Sequence, residues 1–170
     1  MSMKHGIQVE ASNLTDLVYA DDTTLFLPSA DVASSKLSSF TEAAAPLGLK
    51  ISWAKTKLQN LGSGSTPNSI AIDGSNVESV ENFIYLGSLQ SSNGRCSQDL
   101  KRRIELASSV MASLHRVWKD RRLTFTTKLR VYEALILSVL LYAAETWTLL
   151  ATDMKALEAF HVKCQRQIRY

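Results

Sequence analysis

The chain has 170 residues, 45% of them hydrophobic and 21% charged, with 19 Lys and Arg against 16 Asp and Glu. This is the size of one domain or two small ones, with an ordinary globular composition. No apolar run is long enough to span a bilayer. The start, Met1-Ser2-Met3-Lys4-His5-Gly6, has no apolar secretion core, and Cys96 and Cys164 are too few for a disulfide framework and lack metal-ligand spacing. These features predict an intracellular protein of the nucleus or cytoplasm, not secreted and not in a membrane. The charge is uneven. Met1 to Arg95 holds 6 basic and 9 acidic residues, and the remainder holds 13 basic and 7 acidic. A basic second half suits nucleic acid, and suits a solvated helical surface equally well.

In chain order, Ile7, Val9 and Ala11 alternate with Gln8 and Glu10, which predicts a half-buried strand. Next, Leu17-Val18-Tyr19 and Thr23-Thr24-Leu25-Phe26-Leu27 flank Ala20-Asp21-Asp22. β-branched and aromatic residues on both sides of an Asp turn predict a hairpin, with strands at 14–20 and 23–27. Two neighbouring carboxylates repel each other unless a cation sits beside them. Asp also serves turns for its own sake. As hard oxygen ligands the pair suits Mg²⁺. Pro28 and the N-cap candidate Ser29 precede an apolar stripe of Val32, Ala33, Leu37, Phe40, Ala44 and Leu47. That spacing predicts a helix over 30–47, ended by Gly48.

Leu49 to Thr56 reads as a short strand or extended loop carrying Lys50 and Lys55, with Lys57 just after it. Residues 62–69 are a Gly/Ser-rich loop. Asp73-Gly74 between short β runs predicts a hairpin turn. Val80, Phe83, Tyr85 and Leu86 lead through Gly87 to Leu89 as another hairpin, with Asn93-Gly94 as a turn. The rest is helical. Leu100, Ile104, Ala107, Met111, Leu114 and Trp118 form one seam from Ser97 to Lys119. Thr127 to Trp147 is apolar nearly all round in its middle, which predicts the central helix of a bundle. Thr152 caps a third helix with the stripe Met154, Leu157, Phe160, Cys164 and Ile168. His161 and Cys164 alone do not make a zinc site.

Tyr19-Ala20-Asp21-Asp22, extended to Thr23-Thr24-Leu25-Phe26, resembles the Y-x-D-D box of LINE-type (non-LTR) retrotransposon reverse transcriptases. Three further strings follow in that family's order. Gly48-Leu49-Lys50 with Lys55 and Thr56 is similar to its G-L-K…K-T segment. Phe83-Ile84-Tyr85-Leu86-Gly87 is similar to its F-x-Y-L-G primer-grip box. Lys128 to Tyr132 and Leu141-Tyr142-Ala143-Ala144-Glu145-Thr146-Trp147 are similar to its K-x-x-x-Y and L-Y-G-x-E-x-W patterns, with Ala143 where Gly is usual. The resemblance runs from about Leu14 to Tyr170.

The resemblance implies an α+β fold: a partial palm over 1–95 and a helical thumb-like region over 96–170. It implies an RNA-directed DNA polymerase, using an RNA template and a DNA primer. Asp21 and Asp22 would hold Mg²⁺, Lys55 would meet the triphosphate, and Tyr19 would shape the approach to the primer end. Tyr85, Leu86 and Gly87 would grip the primer. The basic residues Lys101, Arg102, Arg103, Arg116, Lys119, Arg121, Arg122, Lys128 and Arg130 are the candidates for nucleic acid. The family's first palm aspartate and its Gln-Gly motif have no counterpart in these residues. The expectation is therefore a fragment without polymerase activity of its own, prone to self-association through an open sheet edge and an apolar face. The alternatives are a non-catalytic module that binds nucleic acid or protein, and a functionless relic.

Overall fold

The computed structural model describes residues 6–62, 67–72 and 74–169. The chain is mixed α+β, with small sheets first and helices after. It divides into two compact units, one of Met1–Asn60 with Ser65–Val80 and the other of Leu61–Gly64 with Glu81–Tyr170.

In the first unit, β1 (Ile7–Val9) pairs antiparallel with β2 (Ser12–Leu14). The single strand expected through Ala11 instead folds back at Glu10, where φ is 51°. Polar–apolar alternation does not reveal a turn whose own residues fit the alternation. β3 (Asp16–Tyr19) and β4 (Asp22–Leu25) form the next hairpin, within the expected limits. The predicted helix forms as a 3₁₀ turn (Ala30–Val32), then α1 (Ala33–Ala44), then a second 3₁₀ turn (Ala45–Leu47). Pro46 brings no N–H to the last turn, and Gly48 closes it at φ 72°, its N–H bonded to the Ala45 carbonyl. Ser29 is extended ahead of the helix, but its hydroxyl makes no capping bond.

The third sheet of this unit has the order β5-β7-β6. β5 (Lys57–Leu58) lies parallel to β7 (Ser75–Ser79), and β6 (Ile70–Ile72) pairs antiparallel with β7. α1 packs against β6. Ala33, Ala44, Ile72 and Val77 supply the buried apolar side chains here. Of the predicted Asp73-Gly74 turn, Asp73 lies outside the described residues, as do residues 63–66 of the Gly/Ser-rich loop.

The second unit opens with the hairpin of β8 (Asn82–Tyr85) and β9 (Ser88–Ser91), whose second strand packs on α2 (Ser97–Ser113). The boundary expected at Arg95 therefore falls earlier, at Val80, because this hairpin groups with the helices. The long first helix breaks at Leu114, and α3 (His115–Lys119) follows. A helix end leaves carbonyls without intrahelical partners. The Trp118 indole N–H supplies one, donating to the Met111 carbonyl at 2.8 Å.

α4 (Phe125–Val131), a π-helical stretch (Tyr132–Leu137) and α5 (Ser138–Leu140) follow without interruption. Thr124 caps them, its hydroxyl accepting from the Thr127 N–H at 3.2 Å. The expected helix thus starts two residues early and stops at Leu140 rather than Trp147. It is not encased either, since Leu135, Leu141 and Tyr142 are exposed.

α6 (Ala151–Arg169) contains Thr152 inside its first turn. The Asp153 carboxylate does the capping instead, accepting the Leu150 N–H at 3.1 Å, as an acid three residues into a helix can. The core gathers Ala107, Met111, Trp118, Tyr132, Ile136, Leu140, Phe160, Cys164 and Ile168. Both predicted stripes therefore face inward, apart from Met154, which is exposed. Among the described residues no helix is long and apolar enough to cross a membrane.

Candidate functional site

β3 and β4 pair Tyr19 with Asp22, Val18 with Thr23, Leu17 with Thr24 and Asp16 with Leu25. A bond from the Phe26 N–H to the Thr15 carbonyl, at 2.8 Å, extends the pairing by one step. The loop is therefore only Ala20-Asp21, one residue shorter than the expected corner. Ala20 turns it with φ at 52°. Directly paired residues share a sheet face, so Asp22 projects beside the Tyr19 ring while Asp21 sits at the tip. Both carboxylates are exposed.

Among the described residues no group of three His, Cys, Asp or Glu side chains could hold a metal. Two consecutive carboxylates on one hairpin fit a single Mg²⁺ that keeps most of its water. They do not by themselves bridge two ions. Among the described residues the two strands pair only with each other. Leu17, Val18 and Tyr19 are 41, 65 and 64% exposed.

Lys55 lies in a turn built on the Ser52 carbonyl, which accepts from the Lys55 and Thr56 N–H groups at 3.0 and 2.9 Å. The Lys55 side chain is exposed. Lys57, by contrast, is paired with Glu78 at 2.7 Å. The hydrogen bond and charge of Lys57 hold that carboxyl below its ordinary range. Among the described residues no hydrogen bond or ion pair joins Lys55 to Asp21 or Asp22.

The second hairpin is the more elaborately held. Tyr85 pairs with Ser88, leaving the two-residue loop Leu86-Gly87. Their φ values of 46° and 80° are both positive, the type I′ pattern. Glycine suits position 87 on two counts, its positive φ and the tight 3.3 Å approach that a Cβ would make to the Tyr142 ring. The Tyr142 hydroxyl donates to the Leu86 carbonyl at 2.8 Å. Arg102 donates to the Gly87 carbonyl at 3.1 Å, and Arg103 donates to the same oxygen. The Arg103 guanidinium lies 4.5 Å from the Tyr142 ring centroid.

Beneath the turn sits Asp99, 1% exposed. It accepts from the Leu89 N–H at 2.9 Å and the Trp147 indole at 3.0 Å, and lies 3.8 Å from both Arg102 and Arg103. Asp99, Tyr142 and Trp147 are not among the site residues that the sequence predicts. The L-Y-x-x-E-x-W string carried the two aromatics, but nothing in the spacing around Asp99 marked it.

The nine basic candidates separate by burial. Arg103 and Lys128 are interior, and the Lys128 ammonium donates to the Trp118 carbonyl at 2.5 Å. These two and the half-buried Arg102 donate to backbone carbonyls. Sequence periodicity does not tell a buried cation from a solvated one. Lys101, Arg116, Lys119, Arg121, Arg122 and Arg130 are exposed. Arg122 bonds Asp120 at 2.9 Å and holds that carboxyl low.

A protein of Caenorhabditis elegans described as an uncharacterized transposon-derived protein is similar to this chain. It is 23% identical over 170 residues, covering 95% of this chain and 59% of that protein. The chain thus spans about three-fifths of that relative's length. The likeness links the chain to transposable elements. No family model and no solved structure matches.

Proposed function

We propose that this chain carries the metal-binding hairpin and the primer-gripping hairpin of a LINE-type reverse transcriptase: part of a palm, followed by a thumb-like helical region. The carrying observation is the β3–β4 hairpin, whose two-residue loop sets Asp21 at the tip and Asp22 beside Tyr19. Ala143 supports the same reading. It stands where the family has glycine, and its φ is 60°, a conformation that favours glycine. The likeness to a transposon-derived protein supports it too.

In such a site Asp21 and Asp22 orient a hydrated Mg²⁺, and exposed Lys55 offers a cation to a triphosphate. Asp21 and Asp22 are the residues that would hold the metal, which when bound would supply Lewis-acid activation of a hydroxyl nucleophile and charge stabilisation of the leaving group. These 170 residues bring two adjacent carboxylates to that task, so they bind one ion weakly and do not polymerise alone. The partners are an RNA template and a DNA primer.

The test pairs Mn²⁺ broadening of amide resonances with primer extension on an RNA template in Mg²⁺. Broadening at Ala20 to Thr23, lost in Asp21→Ala, is expected, with no extension. Absence of that broadening would remove the metal hairpin. Extension that Asp21→Ala abolishes would overturn the non-catalytic reading of this chain.

A further inference from the structure

The link between α3 and α4 lies open, as does the first turn of α4. Arg121, Arg122, Thr124, Phe125, Thr126 and Thr127 are all exposed, and the Phe125 ring is 53% so. The backbone is extended at both ends of the link, with ψ at 113° for Asp120 and 154° for Thr124. Thr124 is the single Ser or Thr of the chain with arginines both two and three residues before it, and Phe125 follows it directly. Two guanidinium groups ahead of a hydroxyl, with an apolar ring behind it, match an enzyme groove that offers carboxylates and then an apolar pocket. The side chains are held only locally. Asp120 accepts from the Arg122 N–H and guanidinium at 2.9 to 3.2 Å. Among the described residues no hydrogen bond or ion pair holds the Arg121 side chain. The Thr124 hydroxyl meets only the Thr127 N–H at 3.2 Å and the Thr127 hydroxyl at 2.9 Å. Opening one exposed turn releases it, and such openings are the least costly in a fold.

We propose that Thr124 is a phosphorylation site for an arginine-directed protein kinase, and that its phosphate withdraws Arg121 and Arg122 from the cations open to nucleic acid. In the transfer, the bond between the γ-phosphorus of ATP and the oxygen that leaves with ADP breaks, and a bond from that phosphorus to Thr124 Oγ1 forms. The hydroxyl proton passes to the base of the kinase. Phosphothreonine carries a charge of about −1.5 to −2 and three acceptor oxygens, which suit guanidinium groups two and three residues away. The acceptor site stands on the sequence and exposure of this link. The masking of the arginines rests on the nucleic-acid partners proposed above.

The experiment incubates the folded, full chain with MgATP and the catalytic subunit of cyclic-AMP-dependent protein kinase, and maps the phosphate by tandem mass spectrometry. Phosphate on Thr124 is expected. Thr124→Ser should accept it, and Thr124→Asn, which keeps a capping side chain, should not. Arg121→Gln with Arg122→Gln should slow transfer about tenfold or more, the size of one lost hydrogen bond to a charged group. Transfer to other residues only, transfer indifferent to the two arginines, or transfer that requires prior thermal unfolding of the chain would overturn the site. Fluorescence anisotropy with an RNA–DNA duplex then compares the phosphorylated and unmodified chains. Phosphorylation should shallow the log–log salt slope by about 1.4–1.8, which is two contacts at about 0.7–0.9 each. Thr124→Asn after the same treatment should keep the parent slope. Phosphate on Thr124 with an unchanged slope overturns the masking. An unmodified chain without salt-dependent binding overturns the nucleic-acid reading and the masking with it, while the acceptor site stands.

Discussion

The Trp147 indole donates to the Asp99 carboxylate across 3.0 Å, joining the segment before α6 to the first turn of α2 beneath the β8–β9 hairpin. Asp99 also accepts the Leu89 N–H and faces two guanidinium groups. A buried carboxylate in such company is costly to remove, because its partners stay behind without it. Asp99→Ala is expected to destabilise the chain by about 3–5 kcal/mol. Trp147→Phe should cost about 1 kcal/mol from the lost hydrogen bond. Urea denaturation followed by circular dichroism measures both, and equal losses for the two variants would contradict this ordering.

Ala143 holds φ at 60° just before the 3₁₀ turn of Ala144–Thr146. Its methyl group is crowded there, whereas glycine is not. Ala143→Gly also loosens the unfolded chain, which offsets part of the gain. A net stabilisation of about 0.5–1 kcal/mol is expected. A lower Tm for Ala143→Gly than for the parent would show that the methyl's packing outweighs the backbone strain.

Period and turn chemistry made much of this fold legible. The β3–β4 hairpin, α1 with its Gly48 stop, and the inward stripes of α2 and α6 all follow from local pattern. Part of what was missed depends on contacts outside the local pattern. Leu114 fits the α2 seam, yet the helix breaks there and the Trp118 indole bonds back to Met111. Arg103 reads as a surface cation until Gly87 and Tyr142, far from it in the chain, are seen to enclose it. The two carboxylates of the candidate site were plain because they are adjacent in sequence. Asp99 was not, because its partners are Leu89 and Trp147, ten and forty-eight residues away.

Tyr132 is fully enclosed, with its hydroxyl 2.8 Å from His161 Nδ1. Burial, aided by the neighbouring Cys164, pushes its pKa up from 10.0 to about 12. Above pH 10 the unfolded chain gives up this proton while the folded chain keeps it. The folded state then binds more protons, so stability falls as pH rises. The contribution is fully present below pH 10 and is lost progressively toward about 12. Tyr132→Phe should start from a lower Tm at neutral pH, since it loses the His161 bond, but should decline less steeply above pH 10. Parallel Tm curves for the two proteins through that window would exclude the linkage.

Exposed Lys101, Arg116, Lys119, Arg121, Arg122 and Arg130 remain as the cations available to phosphates. If they bind a nucleic-acid backbone, the log–log slope of affinity against salt should be about −0.7 to −0.9 per phosphate contacted. Arg121→Glu with Arg122→Glu should shallow that slope without altering sequence preference. The exposed Arg122–Asp120 pair contributes little of its own to stability, so the double variant should stay folded. By contrast, Lys128→Ala should lower stability while leaving the slope alone, because its ammonium is buried on the Trp118 carbonyl. A salt-independent affinity in fluorescence anisotropy would assign these cations to solvent.

The β3–β4 hairpin governs how the purified chain behaves in solution. Among the described residues each strand pairs only with the other, which leaves each an outer edge without a strand partner. Leu17, Val18 and Tyr19 lie open in the same element. Free edges joined to apolar faces are the setting in which sheets add further strands from other chains. The chain is therefore expected to self-associate in a concentration-dependent way, by strand addition at this hairpin. Val18→Lys adds charge to the most exposed of these side chains and leaves the Ala20-Asp21 loop untouched. It should shift sedimentation-velocity profiles toward monomer at concentrations where the parent associates. Circular dichroism should remain unchanged, since Val18 is exposed and its loss removes little buried area. The paired charge of Asp21 and Asp22 at the loop opposes close stacking of two tips. Raising Mg²⁺ should relieve that repulsion and promote association of the parent, and Asp21→Asn should do the same without the metal. A parent chain that sediments as a monomer at every concentration would show that the open hairpin is not a pairing edge.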